Sequence, residues 1–289
     1  MGLVQQPHTS AGRIPTDAGY RLFVDNLLRQ EQLTDAERAV IDGSISSAIG
    51  GIDAVLEQTT RVLAELSNEL GVTITPKLDD SILSQIELIP MAEKKVLVVL
   101  AFKSGLARTI LVEVEASIGW VEVAEMSQVL NEKLTGLTLG QMRITIQERL
   151  RSSGGNPKLL RLFIDDSSDI WKNLAVEQMH YGGADKLINQ PEFADRRKLQ
   201  DLMKLLETRT ELIDLFRNYK DSGGGIIITI GAENKASEIQ SCSVVSATYR
   251  AGDTSGTIGI IGPTRMPYAK LASLVKYAAR QLSKAFQGA

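Results

Sequence analysis

Residue types that build covalent and metal sites are scarce in this sequence. Its 289 residues include one cysteine, Cys242, and two histidines, His8 and His180. A single cysteine excludes an intramolecular disulfide and a cysteine-based zinc site, and two imidazoles are too few for a histidine-rich metal site. We also find no catalytic triad order, no Gly-x-Ser-x-Gly elbow and no cluster of metal ligands. The sequence therefore predicts no enzyme, no cofactor and no metal.

An excess of positive charge and long apolar runs are absent as well. The chain has 32 Lys and Arg against 35 Asp and Glu, a formal net charge of −3. Any contact with nucleic acid must therefore come from a local patch rather than from the whole surface. No apolar run approaches the roughly 20 residues that span a bilayer, and residues 1–13 lack the apolar core of a secretion signal. We predict a cytoplasmic protein with no membrane partner.

The N-terminal part combines a loop with three helices. Residues 5–15 contain two prolines and a glycine, which is typical of a loop. Thr16 is the expected N-cap of a helix whose apolar residues recur at helical spacing. Thr34 and Glu37 form a capping box at the start of a second helix. A third apolar stripe covers residues 52–70, and Gly71 is expected to end that helix.

Two groups of strands are separated by a long helical stretch. Residues 95–102 and 107–114 predict a β-hairpin, and three later runs predict further strands, at 226–230, 243–249 and 257–261. The stretch between them, about residues 123–218, is mostly helical. Within it Met142, Ile144 and Ile146 alternate like a strand, but Thr138 and Gln141 form a capping box that favours a helix. A single sheet whose strands are separated along the chain by such a long helical stretch indicates that one domain is inserted into another.

Four separated motifs stand out along the chain. They are Pro7–Thr16 with Gly19-Tyr20-Arg21 and Phe23-Val24-Asp25, Gly183-Ala184 with Pro191-Glu192-Phe193, Ile230–Asn234, and Gly259–Met266. In sequence and in order they resemble the motifs of the heat-inducible transcription repressor HrcA family, and the resemblance covers essentially the whole chain.

The resemblance implies an α+β multi-domain chain. The family has an N-terminal winged helix, a GAF-like α/β domain, and a mostly helical dimerisation domain inserted into the GAF-like domain. In the family, most of the winged helix precedes the motif at Pro7, which here follows Met1 closely, so we expect a remnant with the wing and without the recognition helix. The expected domains are 1–71 (winged-helix remnant and linking helices), 72–122 (first GAF-like part), 123–190 (inserted dimerisation domain) and 191–289 (second GAF-like part).

The resemblance also implies a function and partners. Family members are dimeric repressors that bind an inverted-repeat DNA operator upstream of chaperone operons, and the GroE chaperonin maintains their active form. As DNA-binding residues we single out His8, Thr9, Ser10 and Arg13, because such a loop can follow phosphates or enter a narrow minor groove. An ordinary polar loop is the alternative. Without a recognition helix, we expect weak, sequence-independent binding.

Two other functions stay open at this stage. A small-molecule sensor would use a pocket of the GAF-like domain, with Arg265 after the glycines 256, 259 and 262 as its candidate residue. Close packing within a strand is the structural explanation of those glycines. The third possibility is a truncated scaffold that does not bind DNA.

Several further residues allow two interpretations each. Arg21 is either a phosphate contact or a solvated charge, and Glu233 is at most a general base without a partner. Asp165–Asp169 favours a helix cap over a cation site. Phe163 and Trp171 are candidates for a subunit contact. Two features are expected to belong to the core: Cys242, and the apolar face of residues 199–215.

Overall fold

The structure is a computed structural model that describes residues 2–6, 12–29, 31–48, 51–91, 94–114, 118–151, 153–154, 156–164, 177–218 and 225–287. Three groups of residues singled out above lie outside these ranges, namely His8–Ser10, Asp165–Asp169 and Trp171. Among the described helices, none is both long and apolar enough to cross a membrane.

The described residues form ten helices, ten strands and three short 3₁₀ turns. The helices are α1 Asp17–Asn26, α2 Asp35–Ser46, α3 Ile52–Ser67, α4 Trp120–Leu134, α5 Leu139–Leu150, α6 Pro157–Ile164, α7 Ala184–Ile188, α8 Arg196–Glu207, α9 Arg209–Asn218 and α10 Tyr268–Gln287. The strands are β1 Val4–Gln5, β2 Ile14–Pro15, β3 Leu70–Ile74, β4 Leu83–Met91, β5 Lys95–Phe102, β6 Ala107–Glu113, β7 Met179–Gly182, β8 Ile226–Ile230, β9 Cys242–Ala251 and β10 Thr254–Pro263. The 3₁₀ turns are Pro191–Ala194, Gly231–Glu233 and Ser237–Ile239.

The strands form a five-stranded antiparallel sheet, a three-stranded antiparallel sheet and a small two-stranded hairpin. The larger sheet has the order β7-β3-β10-β9-β8, the smaller one has the order β4-β5-β6, and β1 pairs with β2. The expectation that the 95–114 hairpin shares a sheet with the C-terminal strands is wrong. In the larger sheet β10 already has β3 and β9 on its two sides, whereas β5 and β6 form a sheet with the preceding β4, a strand that the sequence pattern does not predict.

The larger sheet is interrupted between β3 and β7. These two strands are neighbours in the sheet, yet the chain between them leaves it to form the smaller sheet and α4, α5 and α6. The intervening segment therefore contains a sheet as well as helices. The mixed α+β class is confirmed, and the domain boundaries at residues 71, 122 and 190 stay a prediction.

Helices cover both faces of the larger sheet. On one side Ile258 and Ile260 of β10 belong to the same buried cluster as the apolar face of α10. On the other side Ile261 and Val244 belong to a second cluster with the leucines of α8 and α9, so the predicted core role of that helical face is confirmed. Burial on both faces explains why β9 and β10 carry apolar or small residues at successive positions and lack a charged face.

Local sequence signals correctly predict the helix starts at which a capping residue was identified. Thr16 Oγ1 accepts a hydrogen bond from the Gly19 amide at 3.2 Å, as expected for an N-cap. Both predicted capping boxes are present, and α5 confirms the helix at 139–150. Each capping side chain satisfies an amide that the first helical turn leaves without a partner.

The expected end of α3 at Gly71 is wrong. The helix ends at Ser67, and Asn68 caps it in the left-handed region with φ of 57°. Gly71 instead lies in β3, where a Cβ atom would come within 2.6 Å of the Thr60 carbonyl oxygen. An asparagine tolerates the left-handed conformation, so the glycine is free to serve the close approach of α3 to the sheet.

The glycines of β10 have a packing role, and so does the side chain of Phe163. A Cβ atom added to Gly256 would lie 2.3 Å from the Tyr249 hydroxyl, and one added to Gly259 would lie 2.7 Å from the Phe216 ring. At Gly262 it would lie 2.8 Å from the Glu69 carboxyl group. The close-packing interpretation of this motif is therefore confirmed. Phe163 is fully buried within the chain's own core, so its expected role in a subunit contact is wrong.

Candidate nucleic-acid interface

The N-terminal residues form a short β-hairpin. Val4 pairs with Pro15 and Gln5 with Ile14, so the segment 6–13 connects the two strands at the end of a two-stranded ribbon. Arg13 directly precedes β2 and is exposed. His8, Thr9 and Ser10 lie outside the described residues but belong to this connection. The predicted loop at residues 5–15 thus has paired ends, and the four DNA-binding candidates belong to its connecting segment.

Hydrogen bonds from Thr16, the N-cap of α1, attach the hairpin to this helix. The Thr16 amide donates to the Leu3 carbonyl oxygen at 3.0 Å, and the Thr16 hydroxyl donates to that of Gly2 at 2.7 Å. A Cβ atom at Gly19 would lie 2.2 Å from the Leu3 oxygen, so only glycine allows this approach. The hairpin and the first turn of α1 consequently form one rigid unit.

Arg21 of α1 is bound to the edge of the larger sheet. Its Nε donates to Glu233 Oε1 at 2.8 Å, and its Nη2 donates to Glu233 Oε2 and, at 2.6 Å, to the Ile228 carbonyl oxygen. Its Nη1 donates to Asp25 Oδ1 at 3.1 Å. These contacts, the Glu233 hydrogen bond above all, raise the pKa of Arg21. Arg21 is therefore not the solvated charge considered above, its role as a phosphate contact stays a prediction, and Glu233 is an ion-pair partner rather than a base.

A second contact joins the start of α1 to the same edge. Asp17 Oδ2 accepts a hydrogen bond from the Ala232 amide at 3.0 Å. Gly231, with φ of +55°, leaves no room for a side chain because a Cβ atom there would overlap the Asp17 carboxylate. The rings of Tyr20 and Tyr268 lie next to these contacts with centroids 5.9 Å apart. Positive φ and the close approach both require glycine at position 231.

The turn that carries Glu233 is held by Asn234. Its side chain is buried, and its Nδ2 lies within hydrogen-bond distance of three carbonyl oxygens, those of Gly231 (3.0 Å), Ile239 (3.2 Å) and Cys242 (2.8 Å). Its Oδ1 accepts from the Thr229 hydroxyl at 2.7 Å. The motif Ile230–Asn234 therefore builds a rigid support for the glutamate that binds Arg21.

Arg265 pairs with Glu192 near the buried carboxyl group of Glu69. Arg265 Nε donates to Glu192 Oε1 at 2.9 Å, although two thirds of the Arg265 side chain is exposed. Burial, and next the charge of Glu192, raise the pKa of Glu69 to about 8. This contact brings together the motifs at 191–193 and 259–266. The ligand role of Arg265 stays a prediction.

Pairing between motifs could not be found by spacing along the chain. Arg21 and Glu233 are separated by 212 positions, and the only local signal is that two motifs carry single residues of opposite charge. Asp17 and Gly231 show no charge or spacing signal at all. Their meeting depends on how α1 lies against the end of β8.

Comparison with known proteins assigns the chain to a family. The sequence model described as "HrcA protein C terminal domain" matches residues 53–272. The chain belongs to the HrcA family. Among its relatives, the heat-inducible transcription repressor HrcA of Geobacter sulfurreducens is 35% identical over 290 residues, which cover 100% of this chain and 84% of that protein. The HrcA protein of Chlorobium phaeobacteroides is 32% identical over 293 residues, covering 98% and 83%.

A solved structure shares the fold. It is described as a hypothetical protein at 2.2 Å resolution, with a TM-score of 0.72 and 22% identity, and the match covers 99% of this chain and 83% of that one. The family assignment confirms the predicted resemblance. It also confirms the predicted class, a repressor of heat-shock transcription and not an enzyme.

Proposed function

We propose that this chain represses heat-shock genes by placing its β1–β2 hairpin against the backbone or minor groove of double-stranded operator DNA. The observation that supports this most is the position of the hairpin, whose strands β1 and β2 are exposed and whose base is fixed to α1. Residues His8, Thr9, Ser10 and Arg13 at its connection would supply hydroxyl, backbone and guanidinium donors to phosphates. A local contact of this kind fits a chain whose net charge is −3.

We further propose that two copies act together on an inverted repeat. A twofold dimer presents two identical modules, which is what a palindromic site requires. Trp120 and Val121 at the start of α4 are 70% and 71% exposed, and aromatic residues are enriched at interface centres. They take the place of the buried Phe163 as candidates for the subunit contact. The GroE chaperonin as a partner stays a prediction from the resemblance.

The sensor alternative has less support. The glycines before Arg265 serve packing within β10, and the Arg265 guanidinium already binds Glu192. A ligand of Arg265 would have to compete with this carboxylate.

Salt dependence of DNA binding tests the hairpin. The affinity for a duplex would be measured by fluorescence anisotropy at several salt concentrations for the unchanged chain, for Arg13→Gln and for the control Arg250→Gln, a change at an exposed arginine of β9. We expect Arg13→Gln to reduce the slope of log K against log salt by about 0.9 for each phosphate that the arginine neutralises, and the control to leave it unchanged. Equal slopes for all three proteins would refute the hairpin contact.

Sedimentation tests the dimer separately. A monomer at micromolar concentration would refute the proposed pairing of two copies. If the chain is a dimer, Trp120→Ser is expected to shift it toward monomer, whereas Ile144→Ser, at an exposed position of α5, is the matched control.

A further inference from the structure

We propose that Arg21 and Glu233 are positioning residues that fix the orientation of the hairpin relative to the α/β core. We call Asp17, Arg21 and the turn Gly231–Glu233 the latch. The inference rests on the proposed function in one respect, namely that the hairpin contacts DNA. Its structural part, the control of hairpin orientation, can be tested without DNA.

The latch acts on a rigid unit on the hairpin side. Thr16 binds the carbonyl oxygens of Gly2 and Leu3, and Gly19 lies against Leu3 without room for a side chain. A rotation of α1 is therefore carried over to the hairpin. Arg21 lies little more than one helical turn beyond Thr16. Its contacts therefore determine the direction of the first turn of α1, and with it that of the hairpin.

The latch is also rigid on the core side. Glu233 Oε2 accepts from the Ile230 amide at 2.9 Å as well as from Arg21. Asn234 holds the same turn through its buried side chain. Contacts within its own turn therefore orient the Glu233 carboxylate before α1 binds to it. Two guanidinium donors of Arg21 bind the two carboxylate oxygens, and this geometry fixes the direction of Arg21 as well as its distance from Glu233.

The remaining contacts of α1 cannot define its direction as well. None of the residues of α1 is fully buried, Leu22 and Phe23 are 47% and 40% exposed, and Leu27, directly after the helix, is 66% exposed. Tyr20 and Val24 pack only partly against the core. Apolar contact of this extent is non-directional, so the orientation of α1 depends on the charged and hydrogen-bonded groups of the latch.

The position of the latch links the hairpin to the state of the larger sheet. Arg21 binds the carbonyl of Ile228 in the edge strand β8 and the turn that follows this strand. When β8 or the turn opens, Glu233 no longer faces α1 and the hairpin loses its orientation. Local opening of an edge strand would thus release DNA before the whole protein unfolds.

Distance measurements between two spin labels test the orientation directly. The labels would be placed at Gln5→Cys in the hairpin and Asp253→Cys in the β9–β10 turn, since both positions are exposed whereas Cys242 is buried. We expect a narrow distance distribution that Arg21→Gln and Glu233→Gln each broaden. Arg61→Gln, which removes an exposed ion pair with Glu57 on α3, is the control and should leave the distribution narrow.

Rescue by charge exchange separates the latch from a general loss of stability. Arg21→Glu should broaden the distribution, and the double variant Arg21→Glu with Glu233→Arg should narrow it again in part, because the ion pair is restored in reverse. Full rescue is not expected, since Glu at position 21 would face Asp25 and lose the bond to the Ile228 carbonyl. Narrow distributions in both Gln variants, or no recovery in the double variant, would overturn the proposal.

DNA binding distinguishes a positioning role from a direct phosphate contact, because the two roles predict opposite effects of Glu233→Gln on the affinity for DNA. As a positioning residue, Glu233 should be needed, so Glu233→Gln is expected to bind a duplex about fivefold more weakly with an unchanged salt slope. If Arg21 itself contacted phosphate, Glu233→Gln would bind more tightly and Arg21→Gln would reduce the slope by about 0.9; that result would overturn the proposal. If the unchanged chain binds no DNA, the proposed function fails while the spin-label distances still decide the latch.

Discussion

Replacing Glu69 with glutamine is expected to remove a large pH dependence from the stability of this protein. The Glu69 side chain is only 4% exposed, at the junction between α3 and β3. Burial, followed by the neighbouring charge of Glu192, raises its pKa from 4.5 to about 8, whereas the charge of Arg265 lowers it. Glu69 Oε2 has no hydrogen-bond partner among the described residues, which is consistent with a carboxyl group that is costly to ionise in place.

The sign and size of the effect follow from proton linkage. The folded-state pKa of Glu69 lies above its value of about 4.5 in the unfolded chain, so the folded chain holds a proton that the unfolded chain releases. Its contribution to stability is therefore fully present below pH 4.5 and decreases as the pH rises toward 8. Between pH 5 and pH 7 the free energy of unfolding should fall by about 2.5 kcal/mol because of this group alone.

Denaturant unfolding at pH 5, 6 and 7 would measure this difference. The unchanged chain should lose stability over this range relative to Glu69→Gln, since glutamine does not titrate, and other ionisable groups cancel in the comparison. Glu87→Gln, at an exposed position of β4, is the control and should follow the unchanged chain. If the curves of the unchanged chain and of Glu69→Gln run parallel from pH 5 to 7, the argument from the buried carboxyl group is refuted.

Three further predictions concern individual contacts. Gly231→Ala should lower the unfolding free energy by about 1–3 kcal/mol, because φ is +55° and a Cβ atom would overlap the Asp17 carboxylate; an unchanged thermal midpoint would contradict this. The hydrogen bond from Lys270 is the main cause that lowers the pKa of Glu37 to about 2, so this carboxylate stabilises the fold above pH 4.5 and loses its effect as the pH falls through 2. Glu37→Gln should cost about 1 kcal/mol or less at neutral pH and flatten the acid limb of the stability curve, which acid titration followed by circular dichroism would show. Burial raises the pKa of the Cys242 thiol to about 11, so iodoacetamide at pH 8 should modify it only in denaturant, as mass spectrometry would detect.

Features that depend on neighbouring residues could be predicted from the sequence. The caps at Thr16, Thr34 and Thr138 are present because a capping side chain and the amide it satisfies lie within three positions of each other. The strands at 95–102 and 226–230 were likewise evident from apolar runs between turn residues. These signals are local, and tertiary packing does not override them here.

Features that depend on distant residues could not be predicted in this way. The sequence does not indicate β4, because Ser84, Gln85 and Glu87 are exposed while Pro90 lies near its end, so no regular alternation marks it as a strand. Nor does it indicate how the strands are divided between two sheets, because apolar runs do not specify which strands pair. The same limit applies to the apolar stripe that begins in α1, in which Phe23 and Leu27 stay exposed while polar groups hold the helix.

The place of β10 in the larger sheet has a consequence for the time that this protein needs to become active. β10 joins two strand pairs, β7 with β3 and β9 with β8, and it is the last of the described strands to be made on the ribosome. Until it inserts, both pairs have an open edge, and pairing between such distant segments is slow and prone to aggregation. The same step must be repeated after every thermal unfolding. We therefore expect promoters under its control to stay open for a refolding interval after the temperature has returned to normal.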